Sequence, residues 1–134
     1  MDDLKILIVD DQITHLKLNK TIVEKLGWHA DTVDSAEEAL LILEWHHDYC
    51  AIITDLKIPW MNGIDFCKIV KRKYPQILVY ALTGNPDLFN YRELNSAGFD
   101  GFYFKPIRIE IIKNILIGIE ETLTDNLSTP SEIH

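Results

Sequence analysis

Five short apolar runs, each followed by a stretch of helical spacing, limit what this chain can fold into more than any other feature. The runs occupy residues 5–9, 28–33, 51–54, 77–82 and 102–104. Runs of this length suit strands buried on both faces of a parallel sheet, the second (28–33) being less apolar than the others. Between them, apolar residues recur at helical intervals. Ile13, Leu16, Ile22, Val23 and Leu26 mark a helix over 12–26, closed by Gly27. Ser35-Ala36-Glu37-Glu38 is a capping box opening a helix that runs to about residue 46. Further helices are expected over 64–74, 87–97 (closed by Gly98) and 109–123, with Pro75 and the segment Thr83-Gly84-Asn85-Pro86 as interruptions. Strands alternating with helices imply βαβ units. Right-handed crossovers then make a three-layer α/β sandwich the economical packing.

The polar residues that end these strands are the second constraint. Asp10 and Asp11 follow the first strand, Asp55 the third, Thr83 closes the fourth, and Lys105 follows the fifth. Ligands of open parallel sheets bind outside the carboxyl ends of the strands, at the point where strand order reverses. With five strands in the order 2-1-3-4-5, that point lies between the first and third strands. Three carboxylates there call for a positive partner, and Mg²⁺ (or Mn²⁺) with oxygen ligands is the simplest. A carboxylate such as Asp55 can act as a nucleophile toward phosphorus. Phosphoryl transfer asks chiefly for positioning and charge neutralisation, which a cation and Lys105 would supply, with the Thr83 hydroxyl donating to a phosphoryl oxygen.

The bulk numbers fit this outline. A chain of 134 residues, 47% hydrophobic, suits one domain with a proper core. The formal charge of −8 argues against binding to nucleic acid or to an anionic membrane surface. Cys50 and Cys67 follow no CxxC spacing and read as buried free thiols. No run is long and apolar enough for a membrane span, and the N-terminus lacks a signal peptide's pattern, so a cytoplasmic location is expected. His46-His47 reads as an exposed helix end, and no histidine has metal-ligand spacing to an acid or thiol.

Four motifs in order carry a resemblance: Ile8-Val9-Asp10-Asp11, then the stretch from Thr54-Asp55-Leu56-Lys57 to Asn62-Gly63, Leu82-Thr83-Gly84, and Phe104-Lys105-Pro106. Over about residues 4–123 the chain resembles the receiver domain of two-component response regulators, whose fold is a flavodoxin-like sandwich of five parallel strands and five helices. The resemblance implies that Asp55 is the phosphoacceptor and that a sensor histidine kinase or phosphotransfer protein is the donor. It implies that Asp11 and Asp55 ligate Mg²⁺ directly, Asp10 through water, with the Lys57 carbonyl completing the protein's share. Lys105 would pair with the phosphoryl group, and the Lys105–Pro106 peptide would be cis. Thr83 would move toward the phosphoryl oxygens, and Phe102, where many relatives carry tyrosine, would swing into the space it leaves. The responding surface would be the fourth helix, fifth strand and fifth helix. Lys57, Gly84 and Asn85 occupy positions that tune phosphoryl lifetime in the family.

A signalling switch is therefore expected rather than a metabolic enzyme. The alternatives are a pseudo-receiver interaction module, a flavodoxin-like binding module, and a haloacid-dehalogenase-like phosphatase. The phosphatase needs a second Asp two residues after its nucleophile, where this chain has Gln12, and a flavodoxin-like site needs a phosphate-cradling loop in place of Asp10-Asp11-Gln12. In the last helix Ile109, Ile112, Ile115, Leu116, Ile119 and Leu123 form a core stripe. Ile111 and Ile117 fall off it and suggest a homodimer or downstream-partner contact. Residues 1–124 are expected to be the receiver domain and 125–134 a flexible tail or the start of a linker.

Overall fold

The computed structural model describes residues 4–84 and 90–132, with side chains described as far as residue 125. Five strands, β1 (Lys5–Val9), β2 (His29–Val33), β3 (Ala51–Thr54), β4 (Leu78–Thr83) and β5 (Gly101–Phe104), alternate with helices α1 (Ile13–Lys25), α2 (Ala36–Trp45), α3 (Gly63–Lys73), α4 (Tyr91–Ala97) and α5 (Ile109–Glu132). All the strand pairings are parallel, in the order β2-β1-β3-β4-β5. The register pairs Val9 with Thr54 and Thr83 with Phe104, so Asp10 and Asp55 emerge side by side and Lys105 one strand beyond β4.

The alternating side chains of the strands feed two apolar layers. On one face Leu7, Val9, Ile52 and Val79 pack with Leu43 of α2, Phe66, Cys67 and Val70 of α3, and Leu94 of α4. On the other, Ile6, Ile8, Ile53 and Leu82 pack with Leu16 and Val23 of α1 and Ile112, Ile115 and Ile119 of α5. This two-sided burial is why β1, β3 and β4 carry no polar face, while β2 at the sheet edge keeps His29 and Asp31. Lys71 of α3 ties α3 to the sheet, with its Nζ 2.7 Å from Asp100 Oδ2 and 2.9 Å from the Ile77 carbonyl. Tyr80 spans β4 to α5. A Cβ built on Gly101 would lie 2.9 Å from its ring, and one on Gly118 would lie 3.1 Å from its hydroxyl, so both neighbours leave room for it.

The helix ends follow local chemistry. Ser35 accepts from the Glu38 amide, Asn62 from the Asp65 amide, and Asn90 shares a full capping box with Glu93. Gly98 ends α4 at φ 99°, a conformation that costs glycine nothing. Of the expected fourth helix (87–97), the structure shows the part from Tyr91; residues 85–89, and with them Asn85, lie outside the described residues.

Three readings of α5 change. Its helical backbone continues to Glu132, past residue 123, where its end was expected. Extending an existing helix adds a hydrogen bond for each residue fixed. Ile109, placed in the core stripe, is instead 46% exposed because the first turn stands clear of the sheet. Ile111 is partly buried against the core, whereas Ile117 is exposed as expected. The thiols are both free; Cys67 is buried and Cys50 half-buried.

Candidate phosphoryl-transfer site

Asp10 leaves β1 with its amide bonded to the Val33 carbonyl at 3.2 Å, and its Oδ1 accepts from the Gln12 amide at 3.0 Å. That local turn fixes the carboxylate before α1 begins. Asp55 is held in the same way: its amide donates to Val9 at 3.0 Å and its Oδ1 accepts from the Lys57 amide at 3.2 Å. Gly63 is required beneath it. A Cβ at Gly63 would stand 2.5 Å from the Asp55 carbonyl oxygen, and the Gly63 amide donates to the Leu56 carbonyl at 2.8 Å. Buried Leu56 and Ile58 anchor the loop that presents Lys57, while Trp60 takes a positive φ of 70° with 92% of its surface exposed.

Asp10 and Asp55 are nearly buried, at 2% and 6% exposure. The Lys105 ammonium lies between them, 2.8 Å from Asp10 Oδ2 and 2.9 Å from Asp55 Oδ2. Its backbone amide donates to the Thr83 carbonyl at 2.8 Å, which carries the strand pairing to the site's edge. The Lys105–Pro106 peptide is cis. Burial pulls the Lys105 ammonium toward deprotonation, but its hydrogen bonds and charge attraction to Asp10 and Asp55 outweigh that and raise its pKa above the ordinary lysine value. Thr83, at 1% exposure, closes β4. A Cβ on Gly84 would meet the Lys105 stem at ordinary contact, 3.7 Å. Phe102 is half-buried against the α2–α3–α4 layer, its ring 5.1 Å from that of Tyr91.

The sequence also suggested three gathered carboxylates. The structure joins Asp10 and Asp55 through Lys105 and leaves Asp11 exposed at the rim, and among the described residues no three His, Cys, Asp or Glu side chains form a group ready to hold a metal. Asp11 stays in water, where its charge costs least. The donor set nonetheless suits a hard cation. Three carboxylates against one ammonium leave a negative surplus, and Mg²⁺ needs only one or two carboxylates beside its waters.

His15, in the first turn of α1, was not singled out from sequence. Its Nδ1 lies 2.7 Å from Lys105 Nζ and 3.5 Å from Asp10 Oδ2. The only local signal was its place one helical turn after Asp11, on the helix that opens at the site.

A family model described as the response regulator receiver domain matches residues 6–117. The chain belongs to this family. It is therefore a receiver domain of two-component signalling, and receiver domains are phosphorylated by histidine kinases or phosphotransfer proteins and typically bind Mg²⁺ at their acidic pocket. It is 30% identical to a response regulator receiver domain protein from Clostridium thermocellum, with a TM-score of 0.81 over 90% of this chain and 98% of that one. The chemotaxis response regulator CheY4 of Vibrio cholerae superposes with a TM-score of 0.79 at 25% identity, covering 87% of this chain and 98% of that one. Among curated proteins, the sensor protein EvgS of Escherichia coli K12 is 28% identical over 115 residues, covering 86% of this chain and 10% of that protein. The virulence sensor protein BvgS of Bordetella bronchiseptica is 26% identical over 121 residues, covering 84% of this chain. The receiver spans about a tenth of the length of these curated relatives. No helix among the described residues is long and apolar enough to cross a membrane.

Proposed function

We propose that Asp55 of this receiver accepts a phosphoryl group from the histidine of a sensor kinase or phosphotransfer protein, and that the chain acts as a cytoplasmic switch rather than as a metabolic enzyme. The observation that carries this reading is the nearly buried Asp55 carboxylate at the carboxyl end of β3, with an ammonium 2.9 Å away and the exposed loop residue Lys57 two positions on. In the transfer, Asp55 forms the new oxygen–phosphorus bond while the phosphorus–nitrogen bond of the donor breaks, and the departing imidazole takes up a proton. Asp11, Asp55 and the Lys57 carbonyl, with Asp10 through water, are the groups to hold Mg²⁺, which when bound neutralises charge on the phosphoryl oxygens. Lys105 supplies the protein's own positive charge, and the Thr83 hydroxyl donates to a phosphoryl oxygen.

The readout belongs to α4, β5 and α5. Phe102 pairs with Ala81, two residues before Thr83, so a shift of Thr83 is felt directly beside the ring. Its half-buried ring, 5.1 Å from that of Tyr91, is the side chain to move when Thr83 does. Exposed Ile117 offers α5 a contact for a homodimer or a downstream partner. Lys57 and Gly84 flank the acceptor and the lysine and set the phosphoryl group's lifetime.

Intact mass after incubation with Mg²⁺ and acetyl phosphate tests the reading. The parent gains one phosphoryl group, and the gain disappears in Asp55→Ala and on addition of a chelator. No gain in the parent makes the chain a pseudo-receiver that works through contacts alone.

A further inference from the structure

A lysine ammonium carries three protons and accepts none. At Lys105 all three have partners: Asp10 Oδ2 at 2.8 Å, Asp55 Oδ2 at 2.9 Å and His15 Nδ1 at 2.7 Å. Because the ammonium only donates, Nδ1 is the acceptor and the imidazole proton resides on Nε2. The lysine side chain is 10% exposed, so water is a poor substitute for any of the three. His15 itself is 31% exposed, and it is the one member of the tripod delivered from α1.

We propose that His15 is a positioning residue for phosphoryl acceptance: its Nδ1 holds the Lys105 ammonium against Asp55, so that the cation is in place before the phosphoryl oxygens arrive. This rests on the reading of Asp55 as acceptor. Lysine is a point charge on a flexible four-carbon stem, and much of its rotamer freedom must be lost for it to serve at one spot. Two carboxylates alone leave it free to favour Asp10 over Asp55. A third acceptor, delivered from α1, removes that choice. Charge organised in advance costs no rearrangement when the reaction occurs. His15 exchanges no proton in the step; the oxygen–phosphorus bond forms on Asp55 as before.

The test compares parent, His15→Leu and His15→Asn, whose amide oxygen reaches the position of Nδ1. Phosphorylation rate is followed by intact mass across a range of acetyl phosphate concentrations with Mg²⁺, after thermal melts confirm that the variants fold. Loss of a hydrogen bond to a charged group lowers the saturating rate of His15→Leu about tenfold, with the half-saturating concentration unchanged. His15→Asn recovers most of that rate. A second readout needs no phosphorylation: the Lys105 ammonium ¹⁵N–¹H signal is protected from exchange in the parent and in His15→Asn, and lost in His15→Leu. A His15→Leu protein that phosphorylates like the parent overturns the proposal. So does a His15→Asn protein as slow as the leucine variant, or a parent whose ammonium is unprotected. A parent that takes up no phosphoryl group but shows the protected signal leaves the tripod standing and removes the Asp55 reading instead.

Discussion

Along β3, Ile52 and Ile53 are wholly buried among aliphatic and aromatic side chains, while Asp55 is almost as buried but its carboxylate meets an ammonium and one backbone amide, that of Lys57. The middle of the sheet meets a packing requirement, since dense interiors punish any change of volume. Its carboxyl end meets a charge requirement, since buried carboxylates must be paired. Substitutions in the middle should therefore be read in stability, and substitutions at the end in chemistry.

The largest stability effect is expected on the packing side. Phe66 is fully buried in the α2–α3–α4 layer, and Phe66→Ala should cost about 3–5 kcal/mol in chemical denaturation. Phosphoryl uptake per folded molecule should be unchanged; a parallel fall in uptake breaks the separation. Lys105 is the residue where the two requirements meet. Lys105→Met strands two buried carboxylates and should cost about 3 kcal/mol at neutral pH. Because the folded state raises the lysine pKa, its contribution is full below the ordinary lysine value and fades as pH rises through the raised one. Parent and variant should thus converge in urea titrations at strongly alkaline pH, and a gap that persists there assigns the effect to packing of the stem.

Gly63 sharpens the comparison from the other direction. An alanine Cβ would press on the Asp55 carbonyl, so Gly63→Ala should lower stability by about 1–3 kcal/mol and slow phosphorylation together. The smallest effect concerns thiols. Burial pushes the Cys67 thiol up to about 12, so folded protein at pH 8 should react with a maleimide at Cys50 first, and at Cys67 only on unfolding. Peptide mapping of the modified chain checks the order.

The packing half of this molecule was legible in sequence because its signals are local. Apolar runs announce strands, and Ser35 with Glu38 announces a helix start from neighbouring positions. The acids at the strand ends were legible too, because the order of a parallel sheet dictates which ends meet. The missing parts depended on distance through space. His15 and Lys105 are separated by 90 positions, and no periodicity links them. Ile109 has helical spacing to the core but lies beyond its edge, and the continuation of α5 to Glu132 reflects propagation from a helix already formed rather than any apolar pattern. Phe102 could be counted from Lys105, whereas its tilted ring contact with Tyr91 required the fold.

Tyr80 joins β4 to both β5 and α5. Its ring enters a notch left by Gly101 and its hydroxyl reaches the notch left by Gly118, so one side chain keys three elements together like a dowel through a joint. Bulk added at Gly101 would have to displace the Tyr80 ring, and with it the contact that joins β4 to its neighbours on both sides.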